Sequence, residues 1–272
     1  MTNGRRNPIS ALVLCCLLLG ALPAAAQSGV TVSRPPEESG YLTPAQRPDH
    51  RRFLPPPPAD DSVLGGADMD LYRATRSLEG QPRWQLAARD ADIAQGDLLR
   101  DFACSVGIDL GTAEAPATRK VLTRASADLF PLVGASKDFY KRPRPYLVEN
   151  RPLCIVPTED LTRGGSYPSG HSAAGWLYAL LLAETVPEHA SAILARGRAY
   201  GESRVVCGVH YLSDIEGGRT LATALAAVLA ASDEFAGDIL AARREVAALR
   251  DPSLAPAEET CAAEPAALKT PW

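Results

Sequence analysis

Residues 165–186 read GSYPSGHSAAGWLYALLLAETV. The first part, Gly165 to His171, is a small, flexible turn. The second, Ser172 to Val186, is a strongly apolar helix that is too short to span a bilayer. A turn that runs straight into such a helix aims free backbone N–H groups outward at its start, a geometry that binds anions and phosphate above all. The plainer reading of the same residues is an N-cap by Ser169, with Gly170 as a turn residue and His171 incidental.

The helical pattern continues on both sides. Asp68 opens a short helix closed by Gly80, and Pro82 begins another that runs through Trp84, Leu86, Ile93 and Leu98 to Phe102. Thr118 to Ser136 repeats apolar residues at three- and four-residue spacing, with a kink expected at Pro131. A proline-rich loop covers Arg142 to Pro157. Ala190–Ser203 and Asp233–Leu249 are amphipathic, and the Ala/Leu stripe from Thr220 to Ala231 reads as core. Alternating β-branched runs are few, so the fold class is all-α, a single multi-helix domain.

Four segments divide the 272 residues. Residues 1–26 combine Arg5 and Arg6, an apolar run from Ile9 to Leu22 and the small residues Ala24 to Ala26, as a signal peptide does. A bulky Leu14 ahead of Cys15 argues against a lipoprotein. Residues 27–60 form a proline-rich extended leader, 61–250 the domain that carries the three segments described next and 251–272 a tail pinned by Cys261. The expected location is periplasmic or secreted. The formal charge of −4 becomes −6 once the signal peptide and its two arginines are removed. With no basic block, a nucleic-acid polymer is not an expected partner. Cys104, Cys154, Cys207 and Cys261 remain, an even number that in an exported chain reads as two disulfides with three connectivities. No C-x-x-C pair exists and the four histidines stand far apart, so neither a metal nor another cofactor is expected.

Three segments carry the chemistry. Lys137 is followed after six residues by Arg144-Pro145; Pro168-Ser169-Gly170-His171 opens the apolar helix; Ser203-Arg204 is followed after five residues by His210 and then, after three, by Asp214. Taken singly, each has a bland reading: a cation at a helix C-terminus, a loop arginine, a structural His–Asp pair. Together they supply three cations for the non-bridging oxygens of a phosphoryl group and an anion-binding helix start. One histidine can attack phosphorus and the other can protonate the departing alkoxide. His210 and Asp214, four apart at the start of a predicted helix, suit a carboxylate that fixes an imidazole tautomer.

These eleven positions match the three-part motif of the type 2 phosphatidic acid phosphatase superfamily, which also contains the vanadium haloperoxidases. The string Gly165 to Ser172 resembles the bacterial class A non-specific acid phosphatases, except that Ser172 stands where threonine is expected; the Leu54–Pro58 and Pro82–Asp92 stretches resemble that class as well. The resemblance covers roughly Leu54 to Leu249. It implies an all-helical globule and phosphate held by Lys137, Arg144, Ser169, Gly170 and Arg204. It also implies His210 as nucleophile, His171 as general acid and Asp214 as orienting carboxylate, in a metal-independent acid phosphatase acting on phosphate monoesters. Inhibition by phosphate or vanadate and some phosphotransfer to alcohols follow from the same site. Assembly with further copies of the chain is compatible with the sequence.

Rival readings are a vanadate-dependent haloperoxidase, a membrane lipid phosphatase, for which the mature chain lacks spanning helices, and a non-enzymatic phosphate binder, which would gain nothing from two histidines and Asp214. Asp90, Asp92 and Asp97 read as a solvated helix face, and His50 and His189 as surface residues. A shared phosphate places Cys154, in the loop between Arg144 and Ser169, near Cys207, between Arg204 and His210. The expected pairs are therefore Cys154–Cys207 and Cys104–Cys261.

Overall fold

A computed structural model describes residues 39–93, 95–249 and 252–269, together with Met1 and Trp272. The expected signal peptide after Met1, and the expected leader as far as residue 38, lie outside the described residues. Among those described all regular structure is helical, without a strand. The α-helices are α1 Val63–Ala74, α2 Pro82–Arg89, α3 Gln95–Asp101, α4 Ala103–Val106, α5 Pro116–Tyr140, α6 Pro145–Val148, α7 Glu159–Arg163, α8 Gly170–Thr185, α9 Ala190–Val206, α10 Leu212–Leu229, α11 Asp233–Ala248 and α12 Glu258–Ala267.

The apolar stretch of residues 172–186 forms most of α8, which is covered on nearly every side, as a helix without a polar face must be. It packs chiefly against α9 and α10, while α11 lies on α5. Glycine allows the close approach. A Cβ added at Gly175 would lie 2.3 Å from Tyr200 Cδ1, and one at Gly218 would lie 2.5 Å from the Ser169 carbonyl oxygen. The second contact brings the start of α10 onto the turn that precedes α8. Leu221, Ala222, Leu225 and Leu229 on α10 are buried, as the Ala/Leu stripe implied.

Several elements depart from the expected pattern. The single helix expected from Pro82 to Phe102 is broken. α2 stops at Arg89, and Asp90 turns into the interior, where it is fully buried and meets Arg196 with Nη2 at 2.6 Å from Oδ1. Asp90 is thus no part of a solvated face, although Asp92 is exposed. α1 begins at Val63 rather than Asp68, because Ser62 caps it by accepting from the Gly65 N–H at 3.1 Å. α5 continues across Pro131.

Residues 39–60 have little regular structure but are packed: Leu42 and Leu54 are buried, and Asp128 Oδ2 accepts the Tyr41 and Leu42 N–H groups at 2.7 and 3.2 Å. The tail contains α12, whose Glu264 reaches Arg196 at 3.0 Å. His50 is buried, edge-on to Phe139. His189 Nδ1 lies 2.7 Å from the Val106 carbonyl oxygen. His50 is therefore packed rather than a surface residue, whereas His189 is exposed, as expected, with its ring against that carbonyl.

The disulfides are Cys104–Cys261 and Cys154–Cys207, with Cα separations of 5.3 and 4.7 Å. The first joins α4 to α12; the second joins the loop after α6 to the residue that follows α9.

Close packing through glycine has a direct test. Gly175→Ala should destabilise the protein by about 1–3 kcal/mol, because Tyr200 has to move. Gly134→Ala on α5, where an added Cβ meets nothing within 4 Å, should be neutral or stabilise by about 0.5–1 kcal/mol. Thermal unfolding of the two variants checks the contrast; equal melting temperatures would contradict it.

Candidate active site

The three motif segments converge at the N-terminal end of α8. Ser169 is its N-cap, with Oγ accepting from the Ser172 N–H at 3.3 Å. The Ser169 N–H itself donates to the Asp214 carbonyl at 2.9 Å. The N–H groups of Gly170 and His171 stand in the first turn, where a helix has no internal acceptor for them. The preceding Tyr167–Pro168 peptide is cis.

His210 is buried, two residues ahead of α10, and Asp214 occupies the third position of that helix. The two do not share one helical face as expected, yet they meet: Nδ1 lies 3.2 Å from Asp214 Oδ2. The same oxygen accepts the Tyr211 N–H at 2.9 Å and the Ser166 hydroxyl at 2.5 Å. On the other edge of the ring, Arg144 Nη1 lies 3.0 Å from Nε2. A guanidinium only donates, so Nε2 carries a lone pair and the ring proton sits on Nδ1, facing Asp214.

The cations are held largely by carbonyl oxygens. Lys137, in the last turn of α5, contacts the Gly165 carbonyl and lies 3.4 Å from that of Ser166. Arg144 donates to the carbonyls of Leu161, Gly164, Val209 and Gly165 at 2.7 to 3.3 Å. Arg204, fully buried near the end of α9, is different: its Nε and Nη1 have no hydrogen-bond partner among the described residues. His171 Nε2 lies 2.9 Å from the Ala91 carbonyl, and its ring stacks near Tyr200.

Electrostatics show how closely these groups are gathered. Burial, then Arg144, Lys137, Arg204 and His171, hold the His210 imidazole well below its ordinary pKa. Burial and Arg204 do the same to His171. Burial and Arg144 lower Lys137 to about 7, and burial lowers Arg204 to about 10. Desolvation and mutual repulsion act in one direction, against positive charge. A bound oxyanion acts in the opposite direction. The site is therefore complementary to a small polyanion: cations, an orphaned guanidinium and helix-start N–H groups beside a lone-pair nitrogen.

The PAP2 superfamily model matches residues 120–237, the span that contains all of these side chains. An acid phosphatase of Zymomonas mobilis subsp. mobilis is 38% identical over 216 residues, covering 79% of this chain and 82% of that one. Non-specific acid phosphatases of Providencia stuartii and Salmonella typhimurium are 38% and 35% identical, over 77% and 66% of this chain and 86% and 72% of theirs. The chain belongs to the PAP2 superfamily. Within it the chain falls among the class A non-specific acid phosphatases, and it is a phosphatase.

Residues outside the three motif roles also belong to the site. Ser166 bonds Asp214, and Arg142 Nη1 reaches Asp214 Oδ1 at 2.8 Å. Arg142 lies within the six-residue spacer after Lys137 and Ser166 within the quoted turn, so both were visible in the sequence. What identifies them is their contact with a carboxylate 48 to 72 positions away.

Because an anion raises the pKa of each depressed group, its binding should take up protons. Sulfate, whose charge is constant over the range, isolates the protein's share. Calorimetry in buffers of different ionisation enthalpy should give net uptake between pH 5 and 8, with affinity falling as pH rises through the bound-state pKa values. Zero or negative uptake would contradict the electrostatic description.

Proposed function

We propose that this protein hydrolyses a broad range of phosphate monoesters through a covalent phosphohistidine on His210. The observation that carries this reading is the state of the His210 ring, with Nδ1–H facing Asp214 and a lone pair on Nε2 amid buried cations. In the proposed reaction Lys137, Arg144, Arg204 and the Ser169–His171 turn hold the three non-bridging oxygens. Nε2 attacks phosphorus in line as the ester P–O bond breaks, and His171, as the cation, gives its proton to the leaving oxygen. Asp214 stabilises the positive charge that develops on His210. Water then attacks phosphorus, the N–P bond breaks and His171 takes the water's proton, releasing phosphate.

The pH dependence follows with its sign. His210 must be free base, so activity is lost as pH falls through its pKa; His171 must be protonated, so activity is lost as pH rises through its own. Both values are depressed in the free protein, and substrate raises them, which places the working range on the acidic side of neutrality. Since Lys137, Arg144 and Arg204 carry the charge load, the reaction needs no metal in this reading. An alcohol can replace water in the second step, giving phosphotransfer at high acceptor concentration. Phosphate and vanadate should inhibit as occupants of the same anion site. The proposed setting is the periplasm or outside of the cell, consistent with two disulfides and with no helix, among the described residues, long and apolar enough to cross a membrane.

With a phosphate-labelled substrate, rapid quenching should trap an acid-labile, base-stable label. His210→Ala should abolish both the label and turnover, and chelator should leave the wild-type rate unchanged. A His210→Ala enzyme that keeps a tenth or more of its rate would remove His210 from the nucleophile's role. Loss of activity in chelator, restored by zinc or magnesium, would overturn metal independence.

A further inference from the structure

Behind Asp214 lies a second buried carboxylate. Asp68, in the middle of α1, accepts the Ser213 N–H on Oδ1 at 3.0 Å and receives the Ser213 hydroxyl on Oδ2. The same Oδ2 accepts from Arg142 Nη2 at 2.8 Å, while Arg142 Nη1 donates to Asp214 Oδ1 at 2.8 Å. One guanidinium thus bridges two carboxylates. All three side chains are at most 6% exposed, and the Arg142 guanidinium lies 4.0 Å over the ring of Tyr211. Out of water these charges are weakly screened, so each is felt at the next group in the row.

We propose that Asp68 and Arg142 are positioning residues that set the proton affinity of His210 through Asp214. Arg142 holds the Asp214 carboxylate so that Oδ2 faces Nδ1, but one cation paired with that carboxylate alone would cancel most of its field. Asp68 shares the guanidinium and leaves the row Asp68–Arg142–Asp214 with one net negative charge. That charge opposes the groups facing His210 from other elements: Lys137 on α5, Arg144 before α6, His171 on α8 and Arg204 on α9. Tyr167 and Tyr211, which face the Asp214–Arg142 pair, and Asp60, which faces Tyr211, complete the surroundings of the row. The inference rests on the proposed nucleophilic role of His210, whose basicity would then be tuned from α1.

The two charges have opposite expected signs, which a merely structural role does not. Asp68→Asn removes negative charge, so the His210 pKa and the acid limb of kcat should move to lower pH by about 0.5 unit or more. Arg142→Gln removes positive charge, so both should move to higher pH by a similar amount. Asp68→Glu should restore the wild-type limb. The ring pKa is read by NMR of histidine-labelled protein, ligand-free and saturated with inorganic phosphate, with the resonance assigned by its loss in His210→Asn. Each charge-removing variant decides by itself, so one that fails to fold leaves the other as the test. Movement of the NMR pKa in the two expected directions supports the tuning. If the kinetic limb does not follow, the nucleophile reading fails while the tuning stands. A His210 pKa unchanged in a folded variant, or moved the same way in both, overturns the proposal.

Discussion

Burying positive charge without a matching carboxylate is the constraint around which this protein is arranged. Arg144 and Arg204 are at most 4% exposed, and neither is ion-paired to an acid among the described residues. An unsatisfied buried donor costs about 1–3 kcal/mol, and more where it is charged. The folded chain therefore stores a demand for an anion at the N-terminal end of α8. The low pKa values of His171, His210 and Lys137 are another expression of that demand.

The rest of the fold holds this unfavourable cluster in place. The carbonyl oxygens of Leu161, Gly164, Gly165 and Val209 take up Arg144 and Lys137 without neutralising them. The Cys154–Cys207 bond fixes the loop beside the segment from Arg204 to His210. Arg76 reinforces that join by donating to the Pro152, Val205 and Val206 carbonyls at 2.5 to 2.8 Å. Beneath, the glycine contacts among α8, α9 and α10 bring Ser169, Arg204 and Asp214 to one point. Acidic groups are kept one step back: Asp214 touches the far nitrogen of His210, and Asp90 is occupied by Arg196.

Helices with a strong apolar pattern were legible in the sequence, among them α8, α9, α10 and α11, because their burial follows directly from residue spacing. Elements whose ends depend on distant partners were not. Asp90 interrupts a helical pattern because Arg196, 106 positions away, draws it inward. The same holds for residues 39–60, whose prolines suggest an extended segment while Leu42, Leu54 and the Asp128 carboxylate pack it against α5. The eleven motif residues stood out because chemistry limits what can replace them, and the structure brings Lys137, Arg144, His210 and Asp214 to the turn that opens α8, while Ser203 is instead bonded to Asp90 and Arg83. Asp68, Arg142 and Ser166 did not stand out, since a lone acid, arginine or serine has many bland uses. Their arrangement around Asp214 is long-range and has no local signature.

The central claim is that the phosphoryl group passes through two in-line displacements, first onto His210 and then onto the acceptor. The stereochemistry at phosphorus tests this most directly. A substrate made chiral with oxygen isotopes would be turned over with an alcohol as acceptor, and the configuration of the transferred phosphoryl group determined. Two displacements predict net retention. Net inversion would mean a single direct attack by the acceptor and would contradict the covalent account.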